Sequence, residues 1–144
     1  MSGNNLVFVD TWGWLALGHR RDERHEEIKA LYRKLKDKNS TLFTSDYILD
    51  ELITLIFRRE SFAEGASFIE GVLGASEKGI LSIERINSQR FTEAWRLRRQ
   101  LGDKPSISFT DISSMVIMKE KKIKNILSED DHFLQVGMGF KLIP

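Results

Sequence analysis

The sequence predicts an α/β fold with a mainly parallel sheet, and three observations point there. Short apolar runs rich in β-branched and aromatic residues recur along the 144 residues. Longer stretches with helical spacing separate those runs. The composition, 41% hydrophobic and 30% charged, is that of a folded domain rather than a disordered chain. Strands alternating with helices make βαβ units, which build a parallel sheet covered on both faces.

Each element has its own signal. Leu6-Val7-Phe8-Val9 is continuously apolar, as a strand buried on both faces requires. A charged segment from Asp22 to Lys38 carries Ile28, Leu31, Tyr32 and Leu35 at helical spacing. Thr41-Leu42-Phe43-Thr44 reads as the second strand. Tyr47 to Phe57 is apolar nearly all round, which predicts a buried helix. Ser61 and Glu64 have capping-box spacing ahead of a stripe through Phe62, Ala66, Ile69, Val72 and Leu73. Gly79 introduces a third strand, Ile80 to Ile83. Phe91, Ala94, Trp95, Leu97 and Leu101 mark the next helix, and Ile112, Met115, Val116 and Met118 the last long one. Asn125 to Ser128 is a fourth strand and Phe140 to Ile143 a fifth, so the sheet has four to five strands.

With two prolines and no low-complexity linker or internal repeat, residues 1–144 read as one domain. Cysteine is absent, which excludes a disulfide framework, a thiolate zinc site and a cysteine nucleophile. Met1-Ser2-Gly3-Asn4-Asn5 lacks a basic leader, and the apolar run after it stops at Asp10. No membrane segment and a cytoplasmic location are therefore expected. Neither a P-loop nor a GxGxxG turn nor a Ser-His-Asp order appears.

In parallel sheets the site lies at the carboxyl ends of the strands. Acids collect there. Asp10 follows the first strand, Asp46, Asp50 and Glu51 the second, and Asp130 and Asp131 the fourth, while Asp111 opens the last long helix. Structural roles compete for several of them: Asp10, Asp111 and Asp131 all stand where helix caps form. Glu51 is harder to place that way. Its helical neighbours are Tyr47, Ile48, Leu52 and Leu55, so a buried carboxylate is expected, needing a metal or a distant cation as partner. Asp50 points elsewhere and reads as solvated. His19 and His25 read as exposed, and His132 as a surface or capping residue with substrate contact as its alternative. Acids without Cys or a His cluster favour a hard cation, Mg²⁺ or Mn²⁺, bound through oxygen.

These segments resemble a known family. Val7-Phe8-Val9-Asp10-Thr11 resembles the opening of PIN-domain nucleases, and Ser45-Asp46-Tyr47-Ile48-Leu49-Asp50-Glu51 their second segment. Ser108-Phe109-Thr110-Asp111-Ile112-Ser113-Ser114 is similar to the third. Ile126 to Phe133, with Gly137 and Phe140, resembles the closing one. Order and spacing are most similar to the VapC branch, the toxins of toxin–antitoxin pairs. The resemblance implies a three-layer α/β/α sandwich and a metal-dependent ribonuclease using one or two Mg²⁺ or Mn²⁺ ions. It also implies Asp10, Glu51 and Asp111 as core acids and Asp130 as the fourth, with Asp131 the alternative in that place. Thr11, Thr110 or Ser114 would hold a water. A homodimer and a cognate antitoxin are implied as well.

The formal net charge is only +1. With the four acids set aside, basic residues outnumber acidic ones in the remainder, which suits an RNA substrate. Arg58, Arg59, Arg96, Arg98 and Arg99 are the candidates for holding its backbone, each with a solvated basic face as its alternative. Two other functions fit a parallel sheet with a strand-end Asp: a phosphoryl-transfer or receiver-type domain, and a non-catalytic PIN-like adaptor that binds a protein partner.

Overall fold

The structure, a computed structural model, describes residues 5–144, so the leader expectation for Met1 to Asn4 falls outside the described residues. Five strands form one sheet: β1 (Leu6–Val9), β2 (Thr41–Ser45), β3 (Leu81–Glu84), β4 (Asn125–Leu127) and β5 (Lys141–Ile143). Their spatial order is β3-β2-β1-β4-β5 and every adjacent pair is parallel. Val7, Phe8 and Val9 are all buried, although successive strand residues face opposite sides. Both faces of the sheet are therefore covered, as the unbroken apolar run predicted.

Six α-helices do the covering: α1 (Thr11–Gly18), α2 (His25–Asp37), α3 (Asp46–Arg59), α4 (Phe62–Glu77), α5 (Ser88–Gln100) and α6 (Phe109–Lys121). The chain moves from β1 to β2 to β3 in one direction, then returns past β1 to β4 and β5. Right-handed crossovers put α1 to α4 on one face and α5 and α6 on the other. Packing mostly follows that division: α1 touches α2 and α3, α3 touches α4, and α5 touches α6, while α3 also meets α6. The result is an α/β/α sandwich whose direction of travel reverses between β1 and β4. Among the described residues no helix is long and apolar enough to cross a membrane.

Local signals fix the helix starts. Ser45, Ser61, Asn87 and Ser108 each accept a hydrogen bond from the backbone N–H three residues on, at 2.9 to 3.2 Å. Three side chains then stitch the layers together. Trp14 donates its indole N–H to the Thr44 hydroxyl (3.1 Å), which donates to the Val9 carbonyl (3.0 Å). Arg90 joins Glu84, the last residue of β3, to Glu120 on α6. Arg98 donates to the carbonyls of Leu101, Lys104 and Ile107, closing the loop between α5 and α6.

Two expectations change. The α3 helix is not buried all round: Ile48, Leu49, Leu52 and Ile56 face the core, while Ile53 and Phe57 are exposed. Phe57 instead stacks on Phe62 of α4, ring centres 5.2 Å apart. The histidines of the charged segment are not exposed either. His25 is buried with Nδ1 2.7 Å from the Ala16 carbonyl, and His19 is half-buried against Glu60. Both work as anchors for α1, whose polar ends need partners once it sinks into the fold.

Gly13 sets how closely α1 meets β4. A Cβ there would lie 2.9 Å from the Leu127 side chain and 3.0 Å from its carbonyl oxygen. Gly71, inside α4, has nothing within 4 Å of that position. Opposite signs are expected in urea unfolding. Gly13→Ala should lose about 1–3 kcal/mol through overpacking, and Gly71→Ala should gain about 0.5–1 kcal/mol from helix propensity. Two losses, or two gains, would contradict the close approach.

Candidate active site

The reversal between β1 and β4 leaves a crevice at their carboxyl ends, where ligands bind in such sheets. Asp10 ends β1. It is only 6% exposed, and although it stands at the start of α1 its side chain makes no cap hydrogen bond. Its carboxylate accepts instead from the Ser128 hydroxyl, at 2.7 Å, across from the end of β4. Ser128 in turn accepts from the Asp130 backbone N–H (3.0 Å), so one hydroxyl sets both acids. Asp130 caps the short 3₁₀ turn at Asp131–Phe133 by accepting from His132 N–H (2.9 Å). The capping spacing read between Ser128 and Asp131 is thus replaced by tighter contacts one residue earlier. Asp131 points out to solvent.

Asp111 enters from α6. Ser108 caps that helix, and the first turn carries Asp111 to the crevice as a buried residue. Asp111 Oδ2 lies 3.4 Å from His132 Nδ1, which is also 3.1 Å from Asp130 Oδ1. Ligand atoms of Asp111, Asp130 and His132 all fall within 4.8 Å of one another. His132 is the residue the sequence reading placed elsewhere: its ring is part-buried among the acids rather than on the surface.

Glu51 also differs from expectation. It is exposed, because α3 turns its core stripe of Ile48, Leu52 and Ile56 away from it. Its partner is the Thr11 hydroxyl, which donates to Oε1 at 2.5 Å. That bond ties the first turn of α1 to α3 and aims Glu51 at the crevice edge. Asp50 is exposed as expected, and Asp46 serves structure, accepting from the backbone N–H groups of Tyr47 and Ile86.

The remaining candidates divide. Thr110 is half-buried, next to Asp111. Ser114 is fully buried and donates to the Thr110 carbonyl on its own helix (3.2 Å), so its hydroxyl is spent there. Arg58 lies two helical turns beyond Glu51 on the same face of α3, about 10 Å along the axis, and is exposed. Arg59 and Arg99 are exposed too. Arg96 pairs with Glu93, and Arg98 is committed to the loop carbonyls.

Electrostatics make this crevice costly. Among the described residues, no Lys or Arg nitrogen lies within ion-pair distance of Asp10, Glu51, Asp111 or Asp130, whereas Glu84 and Glu120 both have Arg90. Burial pushes the Asp10 carboxyl up to about 6, against the lowering effect of the Ser128 hydrogen bond. Asp111 is pushed up to about 8, by burial first and then by the charges of Asp10 and Asp130. A carboxylate cage with no protein cation fits a divalent metal ion. Of the residues around it, Asp111, Asp130 and His132 are the ones whose ligand-type atoms come within 4.8 Å of one another.

Both acids bind protons more tightly in the folded than in the unfolded chain. Their protonation supports the fold below about pH 4, and that support is lost as pH rises through about 6 and then 8. Asp111→Asn removes one of the repelling charges. In the metal-free protein it should raise the midpoint of thermal unfolding by a few degrees at pH 8 and leave it unchanged near pH 4. Equal shifts at both pH values would contradict the repulsion.

Comparison with known proteins agrees with this geometry. The PIN domain family model matches residues 7–138. The 23S rRNA-specific endonuclease VapC20 of Mycobacterium tuberculosis is 31% identical over 133 residues, covering 92% of this chain and 95% of that protein. A VapC ribonuclease of Archaeoglobus fulgidus is 26% identical over 134 residues, covering 92% and 82%. The crystal structure of the Mycobacterium tuberculosis VapC20, titled a sarcin-ricin loop cleaving toxin, superposes with a TM-score of 0.76 at 28% identity, covering 91% and 95%. VapBC2 from Rickettsia felis, bound to a DNA fragment from their promoter, shares the fold with a TM-score of 0.70 at 14% identity, covering 96% and 97%. With the family model spanning the crevice from β1 to the segment after β4, and VapC endonucleases aligned along nearly its whole length, the chain belongs to the PIN-domain nuclease family, in its VapC branch.

Proposed function

We propose that this chain is a divalent-cation-dependent endoribonuclease and the toxin of a VapBC-type pair, acting as one domain in the cytoplasm. The observation that carries this reading is the convergence of Asp10, Asp111 and Asp130 on one crevice without a protein cation. An acid cage alone repels a phosphodiester, so the substrate's own charge demands a metal. Held by the crevice acids, one or two Mg²⁺ or Mn²⁺ ions would supply an activated water and would offset charge developing on the phosphate oxygens.

The chain's own residues preorganise that chemistry. Asp10 is locked by Ser128, and Asp130 by the His132 backbone N–H. Thr11 holds Glu51 at the open side of the crevice, where an exposed carboxylate reaches an incoming strand and its water. Ser128, rather than Ser114 or Thr110, is the hydroxyl that orders the centre. Asp131 faces solvent and has no part in it.

RNA reaches the crevice over basic side chains. Arg58, on the Glu51 face of α3, and exposed Arg59, Arg96 and Arg99 contact its phosphates, while Arg98 serves the fold. A receiver-type phosphoacceptor does not account for Glu51 held at the crevice edge by Thr11, and a non-catalytic adaptor would have no use for the repulsion that Asp111 meets from Asp10 and Asp130. Assembly as a homodimer and inhibition by an antitoxin follow from the VapC reading. Ribosomal RNA, the substrate class of the Mycobacterium tuberculosis relative, is the first target to test.

Purified protein should cleave RNA with Mg²⁺ or Mn²⁺ and stop in EDTA. Asp111→Asn should lose activity by on the order of 100-fold or more while melting cooperatively. Undiminished cleavage in EDTA would end the metal reading. Binding measured at several salt concentrations separates the arginines. Arg58→Ala should weaken RNA binding by the inactive Asp111→Asn protein and flatten its salt slope by about one. Arg98→Ala should lower the unfolding midpoint and leave that slope alone.

A further inference from the structure

His132 stands where a ligand would stand. Its Nδ1 lies 3.1 Å from Asp130 Oδ1 and 3.4 Å from Asp111 Oδ2. One N–H can aim at only one of those oxygens, and 3.4 Å is long for a hydrogen bond. A cation between the three atoms satisfies them together. Octahedral coordination with bonds of about 2.1 Å places neighbouring ligand atoms about 3.0 Å apart. The two observed separations are close to that edge length, and all three residues bring a ligand atom within 4.8 Å of the others.

The local chain supports such a role. His132 sits in the 3₁₀ turn at Asp131–Phe133, whose start is capped by Asp130 itself. Phe133, the next residue, is fully buried and packs against Phe140 with ring centres 6.4 Å apart. That anchor fixes the turn, and the turn fixes the direction of the imidazole. With one side against the acids, the ring leaves a quarter of its side chain open to solvent.

We propose that His132 ligates the cation through Nδ1, making this a mixed nitrogen–oxygen centre that prefers Mn²⁺ to Mg²⁺. The inference rests on the metal reading above and adds the ligand and the preference. Mg²⁺ takes oxygen and keeps its waters, whereas first-row transition ions accept imidazole, and Mn²⁺ among them suits a centre otherwise made of carboxylates. A purely oxygen cage, the expectation from absent cysteine and scattered histidine, discriminates less between the two ions.

The test uses the full chain, Mn²⁺ and Mg²⁺, and two variants, His132→Phe and His132→Gln. Pulsed paramagnetic resonance on bound Mn²⁺ should show imidazole nitrogen coupling in the wild type and none in either variant. Calorimetry should show Mn²⁺ affinity falling on the order of tenfold in both variants, with Mg²⁺ affinity moving less than about threefold. Mn²⁺ that binds the wild type without nitrogen coupling overturns the inference and leaves the metal centre standing. Unchanged Mn²⁺ affinity in both variants overturns it in the same way. A wild type that binds neither ion removes both readings.

Discussion

The hydrogen bond from Ser128 to Asp10 joins strand ends 118 residues apart in sequence, and the site depends on it. It sits where the sheet reverses direction, so no crossover connection covers it from above. β1 and β4 meet side by side there, held by the register that pairs Val9 with Leu127. Gly13 lets α1 descend closely onto Leu127. The same hydroxyl accepts from Asp130 N–H, and Asp130 then caps the turn that carries His132. One polar contact thereby organises an acid from the first strand, an acid from the last segment and the ring beside them.

The fold works against itself at this point. Three carboxylates converge there, burial and repulsion raise the proton affinity of Asp10 and Asp111, and no lysine or arginine among the described residues relieves them. Elsewhere the molecule treats acids differently. Glu84 and Glu120 share Arg90, and burial of Glu84 is outweighed by its hydrogen bonds to Ser82 and Arg90, which hold its carboxyl below the usual range. Acids paired with arginine in one place and left opposed in another leave uncompensated negative charge at the crevice, which the proposed cation would offset. Such local instability is expected of functional sites, where strain is balanced by packing elsewhere.

Much of this was legible in the sequence because parallel strands buried on both faces need unbroken apolar runs, and because sites in such sheets follow strand ends. Those two rules locate Asp10, Asp111 and Asp130. The burial expected of Glu51 does not hold. Helical spacing shows what flanks a residue on its own helix and not which face the rest of the chain covers. α3 leaves Glu51 in the open, and its partner Thr11 comes from another helix. His132 was hidden for a similar cause. A lone histidine in a polar run carries no periodic signal, and its orientation is set by Phe133, which only the tertiary structure buries. The role of Ser128 was concealed by capping spacing that the turn does not use.

Net charge is the last property that the fold reinterprets. A formal total of +1 describes no surface. Some of the arginine is already engaged: Arg90 and Arg24 in ion pairs, Arg98 on loop carbonyls. The acids, by contrast, are partly gathered into one crevice, and a divalent ion there would neutralise charge that the total counts as negative. What remains for a polyanion is a set of exposed arginines, with Arg58 on the same helical face as Glu51. Long-range attraction of RNA then depends on that arrangement and on salt. On the proposed reading, a centre that bound its cation weakly would repel a phosphodiester, so cation affinity and RNA affinity would be coupled through the crevice carboxylates.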